Sequence, residues 1–329
     1  MKKKKIVVSL LAVVLIITVA GSVFLFLGSN DDNVPVMSYK TTNPYIVDTG
    51  ALVSAHRSGG GLFPENTFMA FKDCVTSETF ETDIFEFDLH ITKDNVLILL
   101  HDEDFDRTSN SEELFGEKGV KPSEKNFDEL QELNLGENFQ APDGTYPYRG
   151  LRGDDIPEDL KVVRLEDVLD YILSQEKEYS FIIEIKDGGD IGRKATDELY
   201  QILKERDILD RVIVGTFKGE ITEYFDEKYD DMLRSASIAE VLKFYFSSVF
   251  GIDLDPEDVK YDALQIPYKK FVFNLGTQEI INRAHSLNVA VQYWTINDEQ
   301  EIIELNSRGA DAIITDNPEK AYNLINGNE

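Results

Sequence analysis

The sequence predicts an α/β protein whose main domain is a (β/α)8 TIM barrel, with an insertion after strand 2 and an N-terminal transmembrane helix ahead of it. Three observations predict it. Eight short β-rich runs recur over about 280 residues, helical patterns fill most of the gaps, and polar residues crowd the C-terminal ends of several runs, where a barrel keeps its chemistry. A doubly wound parallel sheet is the alternative arrangement of the same alternation.

The chain opens with MKKKK, followed from Ile6 to Leu27 by 22 residues without a charge. At 1.5 Å per residue such a run crosses roughly 30 Å of hydrocarbon. It is longer than the apolar core of a cleaved signal peptide and rich in Leu, Ile, Val and Phe, which favours an uncleaved anchor over a cleaved signal. The lysines belong on the cytoplasmic side, so residues 1–27 read as cytoplasmic lysines plus anchor, and the remainder lies outside the cell. Residues 28–47, polar with two prolines, read as a linker. The domain is then 48–329.

The predicted strands are 52–56, 84–88, 180–185, 212–216, 232–236, 263–266, 289–295 and 312–315, and the predicted helices are 67–76, 165–173, 191–205, 238–246, 277–287 and 298–308. Residues 103–161 break this alternation. The segment is long and polar, with one helical pattern at 126–133, and reads as an insertion: a lid, a specificity element or a peripheral decoration.

Composition narrows the function. Beyond the four leading lysines, 29 basic residues face 62 acidic ones, a formal charge of −33. That surface repels nucleic acid and anionic lipid, so an anionic substrate must meet a local cluster of cations. Cys74 is the only cysteine, so no internal disulfide forms and the fold rests on its core.

Strand ends carry the candidate chemistry. The first ends in His56-Arg57, the second in Glu86-Phe87-Asp88, the third in Glu184-Ile185-Lys186 and the seventh in Tyr293-Trp294-Thr295. Glu86 and Asp88 are two apart on a strand, so their carboxylates share one face with backbones roughly 6.6 Å apart. Asp94-Asn95 reads as a two-residue hairpin turn, and counting outward from it pairs Asp88 with His101. His90 reads as a hairpin surface residue, and His285, late in its helix, as exposed or cap-like.

These residues resemble the glycerophosphodiester phosphodiesterase family of the phospholipase C-like phosphodiesterase superfamily. The matching features are His56-Arg57, PENT at 64–67, Glu86-Phe87-Asp88, TKD at 92–94, His101-Asp102, Arg107-Thr108, EIK at 184–186, WTIN at 294–297 and IITDNP at 313–318. They span nearly everything from Val53 to Tyr322. Ser58 and Thr216 depart from the family's usual glycine and serine. The variable segment 103–161 leaves substrate choice open.

The resemblance implies metal-dependent hydrolysis of a glycerophosphodiester to glycerol 3-phosphate and an alcohol. It implies one divalent cation on Glu86, Asp88 and Glu184, an all-oxygen set suited to Ca²⁺ or Mg²⁺. His56 and His101 become the acid and base, since imidazole titrates near neutral pH. Arg57 and Lys186 bind the phosphoryl oxygens. The nucleophile is water or a neighbouring substrate hydroxyl. Trp294, the only tryptophan, is a pocket wall or barrel packing. The glycines at 59–61 keep the first loop clear beside Arg57, Thr67 or Asn66 caps the next helix, and Glu65 is structural. Rival readings are a lysophospholipase D, a poly(glycerol phosphate) hydrolase of the cell wall, or a non-catalytic surface binding protein.

Overall fold

Strands buried on both faces must be apolar on both, except where one face opens to solvent or a site. β2 follows this rule: all eight of its residues are buried, and Glu86 and Asp88 sit among Phe85, Phe87 and Leu89. The structure, a computed structural model, describes residues 34–270 and 273–327. Its strands are β1 (Leu52–Ala55), β2 (Ile84–Ile91), β3 (Leu97–Leu99), β4 (Ser180–Ile185), β5 (Val212–Gly215), β6 (Leu233–Arg234), β7 (Ala263–Ile266), β8 (Lys269–Lys270), β9 (Phe273–Asn274), β10 (Ala290–Tyr293) and β11 (Ala312–Thr315).

Eight of them pair in parallel in the order β6-β5-β4-β2-β1-β11-β10-β7. A parallel bridge between Ser235 and Ala263 joins the two ends, and the Ala236 N–H donates to the Ala263 carbonyl at 2.8 Å. The result is a nearly closed parallel barrel ringed by helices, the TIM-barrel arrangement rather than a doubly wound sheet. β3 lies antiparallel on β2. β8 and β9 form a separate hairpin.

The helices are α1 (Phe68–Thr76), α2 (Ser111–Phe115), α3 (Phe127–Leu130), α4 (Leu165–Leu173), α5 (Gly189–Glu205), α6 (Gly219–Lys228), α7 (Ile238–Phe250), α8 (Gln278–Ser286), α9 (Glu299–Ser307) and α10 (Pro318–Asn326). Thr67 caps α1, accepting from the Ala70 N–H, and Ser237 with Glu240 closes a capping box on α7. The sequence pattern had not marked α2, α6 or α10.

Alternation along the strands sorts the core. One set of side chains packs outward against the helices in two large clusters. The other fills the barrel, where Ile84, Ile182, Ala312 and Ile314 form one cluster. Two and four residues beyond Ile84 on the same face stand Glu86 and Asp88, and two beyond Ile182 stands Glu184, so period 2 delivers the carboxylates to the mouth.

The predicted linker is corrected in its second half. From Val34 onward it runs on the barrel rather than free of it. Asn43 donates to the carbonyls of Asp262 at 2.7 Å and Asn288 at 3.0 Å, and Tyr45 packs with Ile213, Ala263 and Ala290. The expected anchor at 6–27 lies outside the described residues, among which no helix is long and apolar enough to cross a membrane. The segment 103–161 contributes Phe105, Leu130, Leu133 and Leu135 to a small core of its own with Ile98, Leu100 and Val162.

Candidate active site

The site begins where β1 ends. Arg57, Ser58 and Gly59 take successive left-handed conformations, with φ of 48°, 65° and 88°, so the chain turns sharply after His56. Gly61 lies against Asp316: a Cβ there would stand 2.8 Å from the Asp316 carbonyl, which accepts from the Gly61 N–H. The glycines thus admit the loop that follows β11, rather than clearing space beside Arg57 alone. The turn aims the Arg57 N–H at Glu86 Oε2, 2.7 Å away.

β2 and β4 supply the carboxylates, with Asp88 and Glu184 direct register partners. Glu86, Asp88 and Glu184 each offer an oxygen within 4.8 Å of the others. Lys186 Nζ lies 2.8 Å from both Asp88 Oδ1 and Glu184 Oε2. Burial pushes the Glu86 and Glu184 carboxyls up, and the Asp88 charge adds to each, while Lys186 opposes the rise at Glu184. Burial acts upward on Asp88 as well, but Lys186, His101 and Arg57 outweigh it and hold that carboxyl low. The three crowded carboxylates face Lys186 and, 3.9 Å from Asp88, Arg57, and all their donor atoms are oxygen. The triad can therefore hold a hard metal cation.

Both histidines face this cluster, each backed by an acid. His56 Nδ1 is 2.6 Å from Asp316 Oδ1, and its Nε2 is 4.0 Å from Glu86 Oε2. Asn297 holds the other Asp316 oxygen at 2.6 Å. Burial works to lower the His56 pKa, but Glu86 and Asp316 prevail and raise it. His101 Nδ1 is 2.7 Å from Asp102 Oδ1, and burial, with Lys186 and Arg57 nearby, lowers its pKa against the pull of Asp88 and Asp102. Arg107 donates from Nε to Asp102 at 2.5 Å and from Nη1 and Nη2 to Glu65 at 2.8 and 2.6 Å, and Glu65 also accepts from Arg57 at 3.1 Å. Glu65 is thus structural, as expected, and what it holds is the pair of arginines.

Three expectations are corrected. The hairpin loop has three residues, Lys93 to Asn95, closed by Thr92 opposite Val96: Asn95 alone of the three sits in the left-handed region, at φ 69°, whereas a two-residue turn would need Asp94 there. Leu100, not His101, therefore lies opposite Asp88, and His101 reaches the cavity just past the end of the ladder. His90 is buried, with Nδ1 2.7 Å from Asp187 Oδ1, and is no hairpin surface residue. His285 is also buried, with Nε2 2.9 Å from Asp311 Oδ2.

Sequence reasoning missed the residues that orient the others: Asp316 and Asn297 behind His56, Asp102 and Arg107 behind His101, and Asn66. The Asn66 side chain, at φ 55° and buried, donates to Asp88 Oδ2 at 3.0 Å, while Thr67 takes the helix cap. All of them lie within the motifs quoted above, so the signal was present as residue type without a partner.

One cavity of about 580 Å³ contains His56, Arg57, Glu86, Asp88, His101, Glu184 and Lys186. Trp294 lines it, edge to face with Phe217 at 6.0 Å, and also packs on the barrel cluster. No residue of 104–161 lines it.

The barrel and its mouth define a (β/α)8-barrel enzyme that gathers acids, bases and cations in one pocket. The chain belongs to the glycerophosphoryl diester phosphodiesterase family, whose model matches residues 56–320, and is accordingly a phosphoric diester hydrolase. A curated relative, the glycerophosphodiester phosphodiesterase of Caldanaerobacter subterraneus subsp. tengcongensis, is 27% identical over 83% of this chain and 97% of its own. Solved structures share the fold. A putative glycerophosphoryl diester phosphodiesterase from Silicibacter pomeroyi superposes with a TM-score of 0.66 at 18% identity, covering 85% of this chain and 95% of its own. An Oleispira antarctica phosphodiesterase in complex with the product sn-glycerol-3-phosphate does so with 0.62 at 17% identity, covering 84% and 97%.

Proposed function

We propose that this enzyme hydrolyses glycerophosphodiesters to glycerol 3-phosphate and an alcohol, with His56 and His101 as acid and base and one divalent cation on Glu86, Asp88 and Glu184. One observation carries the reading: two histidines, each with Nδ1 on a carboxylate, face one acidic triad in one cavity. The Caldanaerobacter relative, a glycerophosphodiester phosphodiesterase, and the product bound to the Oleispira neighbour support the substrate class.

A bound Ca²⁺ or Mg²⁺ would neutralise phosphoryl charge and fix the diester against the carboxylates. The chain's own groups do the rest. Arg57 and Lys186 supply positive charge to the phosphoryl oxygens in a protein that is otherwise strongly acidic. With Nδ1 held by a carboxylate, each histidine presents Nε2 to the reactants. His101, whose pKa is lowered, takes the proton of the attacking water or substrate hydroxyl as its oxygen bonds to phosphorus. His56, whose pKa is raised, gives a proton to the alcohol oxygen as the phosphorus–oxygen bond breaks. Trp294 forms a wall for the organic part. The four lysines and the uncharged run of 6–27 support a single-pass anchor with the catalytic domain outside the cell.

The test is turnover of a simple glycerophosphodiester by His56→Gln and His101→Gln. Each should lower kcat by about 10² to 10⁴ with folding intact, and the double variant should lose little more than the worse single one. Near-parental turnover in either variant would remove that histidine from the chemistry.

A further inference from the structure

Lys186 stands one residue past the end of β4, where the ladder that fixes the carboxylates runs out. The β2–β4 register stops at Leu89 opposite Ile185, and the Lys186 N–H adds one bond, to the Leu89 carbonyl at 3.1 Å. Past it, a side chain continues the pairing. Asp187 Oδ2 accepts from the Ile91 N–H at 2.9 Å, and Oδ1 lies 2.7 Å from His90 Nδ1, so one carboxylate grips two consecutive residues of β2. A carboxylate only accepts, so Nδ1 carries the proton of this bond. On its other side Asp187 is pressed by the start of α5, where a Cβ on Gly192 would collide with the Asp187 carbonyl.

The proposed chemistry makes no use of this pair. His90 is 4% exposed, and neither His90 nor Asp187 lines the catalytic cavity. His90 Nε2 is buried without a hydrogen-bond partner among the described residues, so the ring's polar contact is the one that Nδ1 makes with Asp187. An apolar side chain would fill the same space without an unpaired nitrogen. What the histidine supplies is therefore the grip on Asp187, and what that grip fixes is the residue beside it. A lysine is a point charge on a flexible four-carbon stem, and its head stays in place only as well as its backbone does. Lys186 Nζ sits 2.8 Å from both Asp88 and Glu184, and its backbone is held by the ladder on one side and by Asp187 on the other.

We infer that His90 and Asp187 are positioning residues for Lys186: they fix the chain just past β4 so that the ammonium group stays at the phosphoryl site. The inference rests on the phosphodiesterase reading, in which Lys186 binds the phosphoryl oxygens. Acting only through Lys186 is what separates this pair from one that merely stabilises the barrel. His285 and Asp311 form such a pair, 2.9 Å apart and just ahead of β11, at the end of the barrel opposite the mouth.

A double-mutant cycle on the purified full-length protein tests this, with turnover of a simple glycerophosphodiester and thermal unfolding followed for each variant. Asp187→Ala should lower kcat/KM by up to about 100-fold, the effect of shifting a reacting group's partner by about 1 Å. Lys186→Met should lower it at least as far, and the two together should stay within about threefold of Lys186→Met alone, because residues that act as a unit are not additive. His90→Asn, which keeps an N–H near the place of Nδ1, should retain most of the activity that His90→Leu loses. His285→Leu takes a histidine from an aspartate in the same way, and should lower Tm while leaving kcat/KM within about threefold of the parent. Should Asp187→Ala fail to fold, His90→Leu with and without Lys186→Met closes the cycle in its place. Losses that multiply in the cycle, or equal losses in His90→Asn and His90→Leu, would overturn the positioning role and leave the phosphodiesterase reading standing. A parent protein that does not turn over the diester would overturn both.

Discussion

At the scale of single residues, the two histidines differ through their backing. Glu86 and Asp316 raise the His56 pKa, and a cation on the triad would weaken the Glu86 contribution while leaving Asp316 in place. An acid works only while protonated, so kcat/KM should fall as pH rises through the His56 pKa, and the base His101 should set a rising limb at lower pH. Replacing Asp316 by Asn removes the charge but keeps a hydrogen-bonding group. The alkaline limb should then move to lower pH by about one unit, read from kcat/KM against pH. An unmoved limb would mean that Asp316 does not set the His56 proton affinity. The residues proposed to carry the chemistry stood out because reactive types crowd strand ends, where a core has no use for them. Their partners did not. His56 meets Asp316, 260 residues away, and no local pattern reports such a pair; the buried His90, on Asp187 97 residues away, was misplaced for the same reason.

At the scale of elements, all eight barrel strands were legible from short β-rich runs, since strands buried on both faces leave little else to read. α6 was not, because only Ile221, Thr222 and Phe225 of its ten residues are buried, too sparse a stripe to stand out. α10 carried a readable start, Asn317 followed by Pro318, that periodicity alone passed over. The β2–β3 register slipped by one because Asp94 stays out of the left-handed region that a two-residue turn would require of it and only Asn95 enters it, a difference the residue types do not reveal. The docked stretch before β1 was read as linker from its polarity, yet Tyr45, 3% exposed, anchors it in the core beside the buried Asn43. Tyr45→Ala should therefore lower stability by about 3 kcal/mol, with a Tm several degrees below the parent in thermal unfolding. An unchanged Tm would show that this stretch only rests on the barrel.

At the scale of the whole molecule, a chain with 62 acidic and 33 basic residues gathers Arg57, Lys186 and two histidines around three carboxylates at one end of a barrel. The carboxylates come together because two parallel strands share a face and a register, a geometry that follows from the fold. What the sequence could not convey is their electrostatic state: Glu86 and Glu184 driven upward, with Lys186 bridging Asp88 and Glu184. On the proposed reading, the triad works by holding a divalent cation. The most direct measurement is glycerol 3-phosphate release from a simple glycerophosphodiester before and after exhaustive chelation, with Ca²⁺ or Mg²⁺ then added back. Activity should vanish on chelation and return with the cation, and a triple variant of Glu86, Asp88 and Glu184 to glutamine should not recover. Full activity in the chelated protein would remove the cation from the chemistry.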